Sequence, residues 1–165
     1  MLAAQVALAK GAGYVTGCDV SQLPIRLAEK IGLNEMVQSD SRGLADHLHR
    51  KSQKGLDVII DTVGTSESIS DGLVLLNKSG SLVLLAVHED TIPVTSVLLS
   101  GERKLLTSAN NKYHHFQEAI DLMAQGQIKV LPLITHRFHL QEAHEAFQVM
   151  FDKDRYQAYK VVLLP

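Results

Sequence analysis

The residue with the clearest potential for chemistry is Asp19, a carboxylate that directly follows a short run of small and β-branched residues. That run predicts a β-strand, and Ser21, two residues later, is a typical N-cap for a helix over residues 22–31. In doubly wound nucleotide-binding folds, an acidic residue at the end of the second strand accepts hydrogen bonds from the ribose hydroxyls of adenosine. Asp19 is therefore predicted to bind a nucleotide, and a plain strand-end cap is the alternative.

The same fold places a glycine-rich phosphate-binding turn about 20 residues before this acid. Counting back from Asp19 puts that turn immediately before Met1. Residues 2–10 have the small, alanine-rich composition of a helix that can lie close to a sheet. We therefore expect the sequence to begin just after its own phosphate-binding loop.

Other candidate groups have simpler explanations. Asp61 follows an apolar run, where a carboxylate more often shapes a turn or caps a helix than binds a ligand. His136 and His139 lie on an extended segment, on which side chains three residues apart point to opposite faces. The adjacent His114 and His115 are interpreted as solvated or hydrogen-bonded, so no metal site is predicted. Cys18 lies in a predicted strand, where a thiol behaves as a small hydrophobe.

The elements that must position these groups alternate between strand and helix, which predicts an α/β protein with a doubly wound, Rossmann-like parallel sheet and right-handed crossovers. Residues 58–60 and 81–87 are predicted to be strands covered on both faces. Residues 93–99 are predicted to be a connection, followed by a strand over 104–109. An extended segment is predicted at 130–134 and a last strand at 160–164. The remaining predictions are strands at 15–18 and 35–38, helices at 41–54, 113–125 and 141–151, and a helix through Ile69, Leu73 and Leu76 that ends at residues 78–80.

The helix over residues 113–125 is predicted to bury an apolar face, because its apolar residues recur at helical spacing. In the helix over residues 113–125 this face comprises Phe116, Ile120 and Met123. The helix over residues 141–151 is predicted from the helical spacing of Ala143, Phe147 and Met150.

Composition excludes several classes of function. The 165 residues carry 16 basic and 18 acidic side chains, so the net charge of −2 gives no support for binding nucleic acid or a membrane surface. No apolar run reaches the length of a membrane span, and the first residues lack the basic region of a signal peptide. The single cysteine excludes an internal disulfide and a cysteine-based zinc site, which favours a cytoplasmic location.

Taken in order, the motifs resemble the nucleotide-binding half of the medium-chain dehydrogenase/reductase family, which includes zinc-type alcohol, sorbitol and threonine dehydrogenases. The similarity covers nearly the whole chain. It is carried by Leu-Ala-Ala-Gln-Val-Ala at residues 2–7, Gly-Cys-Asp-Val-Ser at 17–21, Asp-Val-Ile-Ile-Asp-Thr-Val-Gly at 57–64, Gly-Ser-Leu-Val-Leu-Leu at 80–85, Phe-Gln-Glu-Ala at 116–119, His-Arg-Phe at 136–138 and Lys-Val-Val at 160–162.

The resemblance implies a dinucleotide bound across the carboxyl ends of parallel strands. Asp19 would bind the adenosine ribose and favour NAD over NADP, because a carboxylate repels a 2′-phosphate and no arginine directly follows it. Thr62, Val63 and Gly64 would run beside the adenosine and ribose. Leu85, Ala86 and Val87 would approach the nicotinamide end, although many family members have glycine where Ala86 stands.

The resemblance also implies what this sequence lacks: the first strand, the glycine-rich turn, and the catalytic domain that supplies zinc and the substrate pocket. We expect residues 1–165 to be a truncated dinucleotide-binding domain in which residues 127–165 return to that missing domain, with no catalytic residue and no hydride transfer by the isolated chain. Residues 97–109 are a possible homodimer contact, as in the family. The alternatives are a non-catalytic fragment or subunit-interaction module that binds no cofactor, and a methyltransferase that uses S-adenosylmethionine.

Overall fold

The computed structural model describes residues 1–51, 55–87, 89, 91–92 and 94–165. They divide into two compact units, one formed by Met1–Gln38 with Tyr113–Pro165 and the other by Ser39–Lys112. The predicted connection over residues 93–99 and the predicted end of the third helix fall partly on residues outside this description.

Helices and strands follow one another along most of the chain. The helices are α1 (Leu2–Ala9), α2 (Gln22–Ile31), α3 (Ser41–Arg50), α4 (Ser66–Leu75), α5 (Tyr113–Ala124), α6 (Ala143–Phe151) and α7 (Lys153–Tyr156). The strands are β1 (Thr16–Asp19), β2 (Glu35–Gln38), β3 (Leu56–Asp61), β4 (Leu76–Leu84), β5 (Lys104–Thr107), β6 (Ile134–His139) and β7 (Lys160–Leu164), and short 3₁₀ turns cover Leu131–Leu133 and Leu140–Glu142.

The first unit contains two parallel strand pairs, β1 with β2 and β6 with β7. Helix α2 begins where the sequence predicts, because the Ser21 hydroxyl oxygen accepts a hydrogen bond from the amide of Leu23. It ends at Gly32, whose φ of 75° is a left-handed conformation that suits glycine. Leu27 and Ile31 of α2 pack with Leu133 as a small core.

The second unit contains a parallel sheet in the order β3-β4-β5. Helix α4 packs on it through Ile69 and Leu73, which are fully buried against Leu82 of β4. Gly72 permits this close approach, since a Cβ there would lie 3.3 Å from a methyl group of Leu82. Parallel pairing and alternating helices confirm the predicted α/β fold class.

Strand β3 differs from the prediction that it is covered on both faces. Val58 is 59% exposed and Ile60 is also exposed, whereas Ile59 packs against the core and Asp61 is buried. The alternation arises because β3 has α4 on one face only within this unit and pairs with β4 alone among the described residues. The apolar run predicts a strand but does not indicate which of its faces is covered.

The helix before β4 and the end of β4 were also predicted wrongly. Helix α4 ends at Leu75, and β4 begins at once with Leu76, which pairs with Leu56 of β3. The strand then ends at Leu84 instead of residue 87, because its neighbours β3 and β5 both end at that level, at Asp61 and Thr107.

The predicted buried face of α5 is wrong as well. In α5, Phe116 is 59% exposed, and Ile120 and Met123 are exposed too. In α6 the buried residues are Ala146 and Val149, and Phe147 is exposed. Helical spacing identifies an apolar face but not the element that would cover it.

The segment predicted to be extended at residues 130–134 instead forms a 3₁₀ turn over Leu131–Leu133. Pro132 fixes its own φ in the helical range, and the Leu133 amide donates to the carbonyl of Val130.

Candidate functional site

Asp19 is the last residue of β1, as predicted, and its side chain is half-buried. Its Oδ1 accepts a hydrogen bond of 2.9 Å from the amide of Ser21, the N-cap of α2. The Gln38 amide group donates to the carbonyl of Val20 at 3.3 Å, which ties the end of β2 to the residue after Asp19. The carboxylate is thus held at the carboxyl end of a parallel strand pair, beside the start of a helix.

Tyr159 belongs to the same neighbourhood, although it is part of no motif that predicts a role for it. Burial of the Tyr159 phenol raises its pKa, and the negative charge of Asp19 raises it further. Burial lowers the pKa of the Met1 α-amine, and the charge of Asp19 opposes that effect. The Asp19 carboxylate therefore acts electrostatically on groups from the two ends of the sequence.

The predicted residues of the second unit follow two adjacent strands. Thr62 and Val63 are exposed after the end of β3, and Gly64 is buried with a left-handed φ of 74°. Leu85 and Val87 are exposed after the end of β4, and Ala86 is partly buried. The Leu85 amide donates to the carbonyl of Asp61 at 2.9 Å, so these two segments are joined directly.

The structure thus brings Thr62, Val63 and Gly64 together with Leu85 at one end of a sheet. Asp19 belongs to the other unit. Sequence reasoning missed Ser68, whose hydroxyl donates to the Asp61 carboxylate at 2.8 Å. Thr65 could have revealed it, since Thr65 is the N-cap of α4 and its hydroxyl oxygen accepts from the amide of Ser68.

The residues present do not fit a zinc ion. Within the described ranges, no three His, Cys, Asp or Glu side chains are grouped so that they could hold a metal. His114 and His115 contact each other edge to face, with ring centroids 4.2 Å apart, and His136 lies beside the hydroxyl of Thr135. No step through a metal is derived for this chain.

A shallow cleft between α3 and α4 is lined by Arg42, His49 and Asp71 among others, and none of the predicted site residues lines it. Each helix in the described part of the chain is too short or too polar to cross a lipid bilayer.

Comparison with known proteins identifies the family. Residues 1–125 match the sequence profile of the family described as zinc-binding dehydrogenase. Sorbitol dehydrogenase from Pongo abelii is 32% identical over 155 residues, which cover 90% of this chain and 42% of that protein. This sequence therefore spans less than half the length of that relative.

Solved structures show the same fold. A short chain alcohol dehydrogenase from Escherichia coli CFT073, complexed with NADH, superposes with a TM-score of 0.88 at 22% identity, over 98% of this chain and 48% of that one. A protein from Sinorhizobium meliloti 1021 described as a zinc-binding dehydrogenase, bound to NADP, superposes with a TM-score of 0.81 at 25% identity, over the same shares of the two chains.

The fold and the family match define an α/β domain of the kind found in zinc-binding dehydrogenases. The chain belongs to the zinc-binding dehydrogenase family, which confirms the resemblance found in the sequence.

Proposed function

We propose that this chain is the nucleotide-binding portion of an NAD-dependent, zinc-type alcohol or polyol dehydrogenase. The observation that carries the proposal is the Asp19 carboxylate at the end of β1, held by the Ser21 amide at the start of α2. A carboxylate in this position accepts hydrogen bonds from two ribose hydroxyls of adenosine. It repels a 2′-phosphate, and the next residues are Val20 and Ser21 instead of an arginine, so we propose NAD as the cofactor over NADP.

The remaining cofactor contacts are assigned to the two segments that follow β3 and β4. Thr62, Val63 and Gly64 would run beside the adenosine and its ribose. Leu85, Ala86 and Val87 would approach the nicotinamide. Exposed side chains at the carboxyl ends of parallel strands support this assignment, because ligands of such folds bind there.

A bound nicotinamide cofactor supplies the hydride acceptor or donor, and the protein supplies binding and orientation. We assign no catalytic residue to this chain, and we propose that zinc and the substrate pocket belong to a catalytic domain outside this sequence. Residues 127–165, which include the separate β6–β7 pair, would connect to that domain. The isolated chain is accordingly proposed to be inactive in hydride transfer.

A homodimer through residues 97–109 is proposed as the assembly. Strand β5 lies at an edge of its sheet, and Leu106 and Val97 are exposed, so a second copy could pair with this edge across a twofold axis. The cytoplasm is the proposed location, on the ground of the single cysteine.

Titration of NADH into the purified chain tests the function. We expect saturable nicotinamide fluorescence and a raised unfolding midpoint, because a ligand that binds only the folded state stabilises it. Asp19→Ala should weaken NADH binding by about tenfold or more, since it removes charge-assisted hydrogen bonds. Glu29→Ala is the matched control, because Glu29 is an exposed carboxylate on α2 and should leave the Kd unchanged.

The second candidate is a subunit-interaction module without cofactor binding, which the exposed apolar face of α5 favours. No response of wild type to millimolar NADH would exclude the first function and support the second. Competition by S-adenosylmethionine at micromolar concentration would instead favour the methyltransferase.

A further inference from the structure

Asp61 is the last residue of β3, and it is buried, with 8% of its surface exposed. Its Oδ1 accepts hydrogen bonds from two consecutive turn amides, Val63 at 2.8 Å and Gly64 at 3.0 Å. Its Oδ2 accepts from the Ser68 hydroxyl at 2.8 Å. One carboxylate thus fixes the turn after β3 and ties that turn to the first residues of α4.

The backbone of the same residue holds a second segment. The Asp61 carbonyl accepts from the Leu85 amide at 2.9 Å, which continues the β3–β4 pairing beyond the last strand residue. Asp61 therefore contacts both segments of this unit that are assigned to the cofactor, through its side chain on one side and its carbonyl on the other.

The chemistry of the carboxylate argues against direct contact with a ligand. A carboxylate can accept a hydrogen bond from a ribose hydroxyl only if one of its oxygens faces the ligand and still has a free lone pair. Here three donors surround the two oxygens, and burial keeps them from solvent. In the same turn Gly64 has a left-handed φ of 74°, and the Val63 side chain is exposed.

We propose that Asp61 is a positioning residue, which sets the affinity for the adenosine half of the cofactor by fixing the turn at residues 62–64 without touching the cofactor. This inference rests on the proposed function of the chain. Its physical basis is that a buried amide which loses its acceptor must find another, so the turn opens when the carboxylate is removed.

The test compares Asp61→Ala and Asp61→Asn with wild type, at a temperature well below the unfolding midpoint of each protein. Asp61→Ala should weaken NADH binding by about tenfold, as expected for the loss of buried, charge-assisted hydrogen bonds. Asp61→Asn should recover the Kd to within about threefold of wild type, because the amide oxygen still accepts from the two turn amides and its NH₂ group can donate to the Ser68 hydroxyl. Asp71→Ala is the matched control, since Asp71 lies on α4 and accepts from the Ser41 hydroxyl at 2.6 Å, away from the turn.

ADP-ribose and the emission of bound NADH identify which half of the site is affected. Asp61→Ala removes the carboxylate but leaves the hydrogen bond from the Leu85 amide to the backbone carbonyl of residue 61. ADP-ribose, which lacks nicotinamide, should therefore lose affinity by the same factor as NADH. The emission maximum of bound NADH should not shift. A purely structural defect would lower the unfolding midpoint of Asp61→Ala. It would not weaken NADH and ADP-ribose by the same factor, and Asp61→Asn would not restore the Kd.

Hydrogen exchange gives a readout that needs no ligand. In Asp61→Ala the amides of Val63 and Gly64 should exchange faster than in wild type and in Asp71→Ala. Unchanged protection of both amides, or an unchanged Kd for NADH in Asp61→Ala, overturns the positioning role while the proposed function stands. Wild type that binds no NADH overturns the proposed function, and the positioning role with it.

Discussion

Replacement of Gln5 by leucine should destabilise the first unit by about 2–4 kcal/mol. Gln5 lies on α1 and is 4% exposed. Its Oε1 accepts from the amide of Lys129 at 2.7 Å, and its Nε2 donates to the carbonyl of the same residue at 3.2 Å. The side chain thus satisfies both backbone groups of Lys129, as a neighbouring strand would.

The magnitude follows from those two bonds. Leucine is similar in size but can neither donate nor accept, so it leaves one donor and one acceptor without their partner. Each loss costs about 1–3 kcal/mol when the group is buried, and partial access of water to the Lys129 backbone favours the lower half of that range. Gln5→Glu keeps an acceptor for the amide but turns a buried carboxylate oxygen towards the Lys129 carbonyl oxygen, so at pH 7 it should destabilise at least as much as leucine.

Urea unfolding measures the difference as a shift in the transition midpoint at constant slope. Gln117→Leu is the control: Gln117 is exposed on α5 and donates to Asp121 at 3.0 Å, so water can replace that bond and the cost should stay below about 0.5 kcal/mol. A Gln5→Leu protein within about 0.5 kcal/mol of wild type would show that the paired bonds to Lys129 do not stabilise the fold as argued.

Two further predictions concern the surroundings of Asp19. A Cβ on Gly17 would lie 2.1 Å from the sulfur of Met36, so Gly17→Ala should lower the free energy of unfolding by about 1–3 kcal/mol. Adding Met36→Ala to the same chain should recover part of that loss. Strictly additive effects of the two substitutions in urea unfolding would contradict this packing. Because burial, and secondly Asp19, raise the pKa of Tyr159 above its unfolded value of 10.0, the folded state favours the neutral phenol. The stability that the neutral Tyr159 phenol contributes is present below pH 10 and is lost as the pH rises through the raised pKa. Between pH 9 and about 11, Tyr159→Phe should therefore lose less stability than wild type. Equal losses in the two proteins would contradict a raised pKa for Tyr159.

The features of the fold that local chemistry dictates were predictable. Ser21 and Gly32 mark the two ends of α2, and the strand at Lys160–Leu164 has the predicted bounds. These elements depend on caps and on β-branched composition, which act over a few residues. The position of Asp19 at the end of β1 followed from the same kind of signal.

The errors arise where tertiary pairing decides. Leu76 has helical spacing from Ile69 and Leu73, yet it joins β4 because Leu56 offers it a strand partner. The spacing of Phe116 and Ile120 on α5 is equally regular, and their exposure depends on neighbours that the pattern does not encode.

The candidate site shows the same division. The positions of Asp19 and Asp61 at strand ends were predictable from the strand-forming residues that precede them. The Thr65 cap was the one sequence signal that pointed to Ser68. The effect of Asp19 on Tyr159 could not be predicted, because the backbone brings these two residues close only after folding.

Every strand pairing described in this chain is parallel, and this bears on how the protein folds. Parallel partners cannot be closed by a tight turn; a dozen or more residues must be ordered between them before the first inter-strand hydrogen bond forms. The chain therefore loses the conformational entropy of large loops before inter-strand bonds compensate for it. It should fold more slowly than hairpin-rich proteins of equal length. During that delay the apolar strands remain open to other chains, so dilute conditions and low temperature should favour refolding over aggregation.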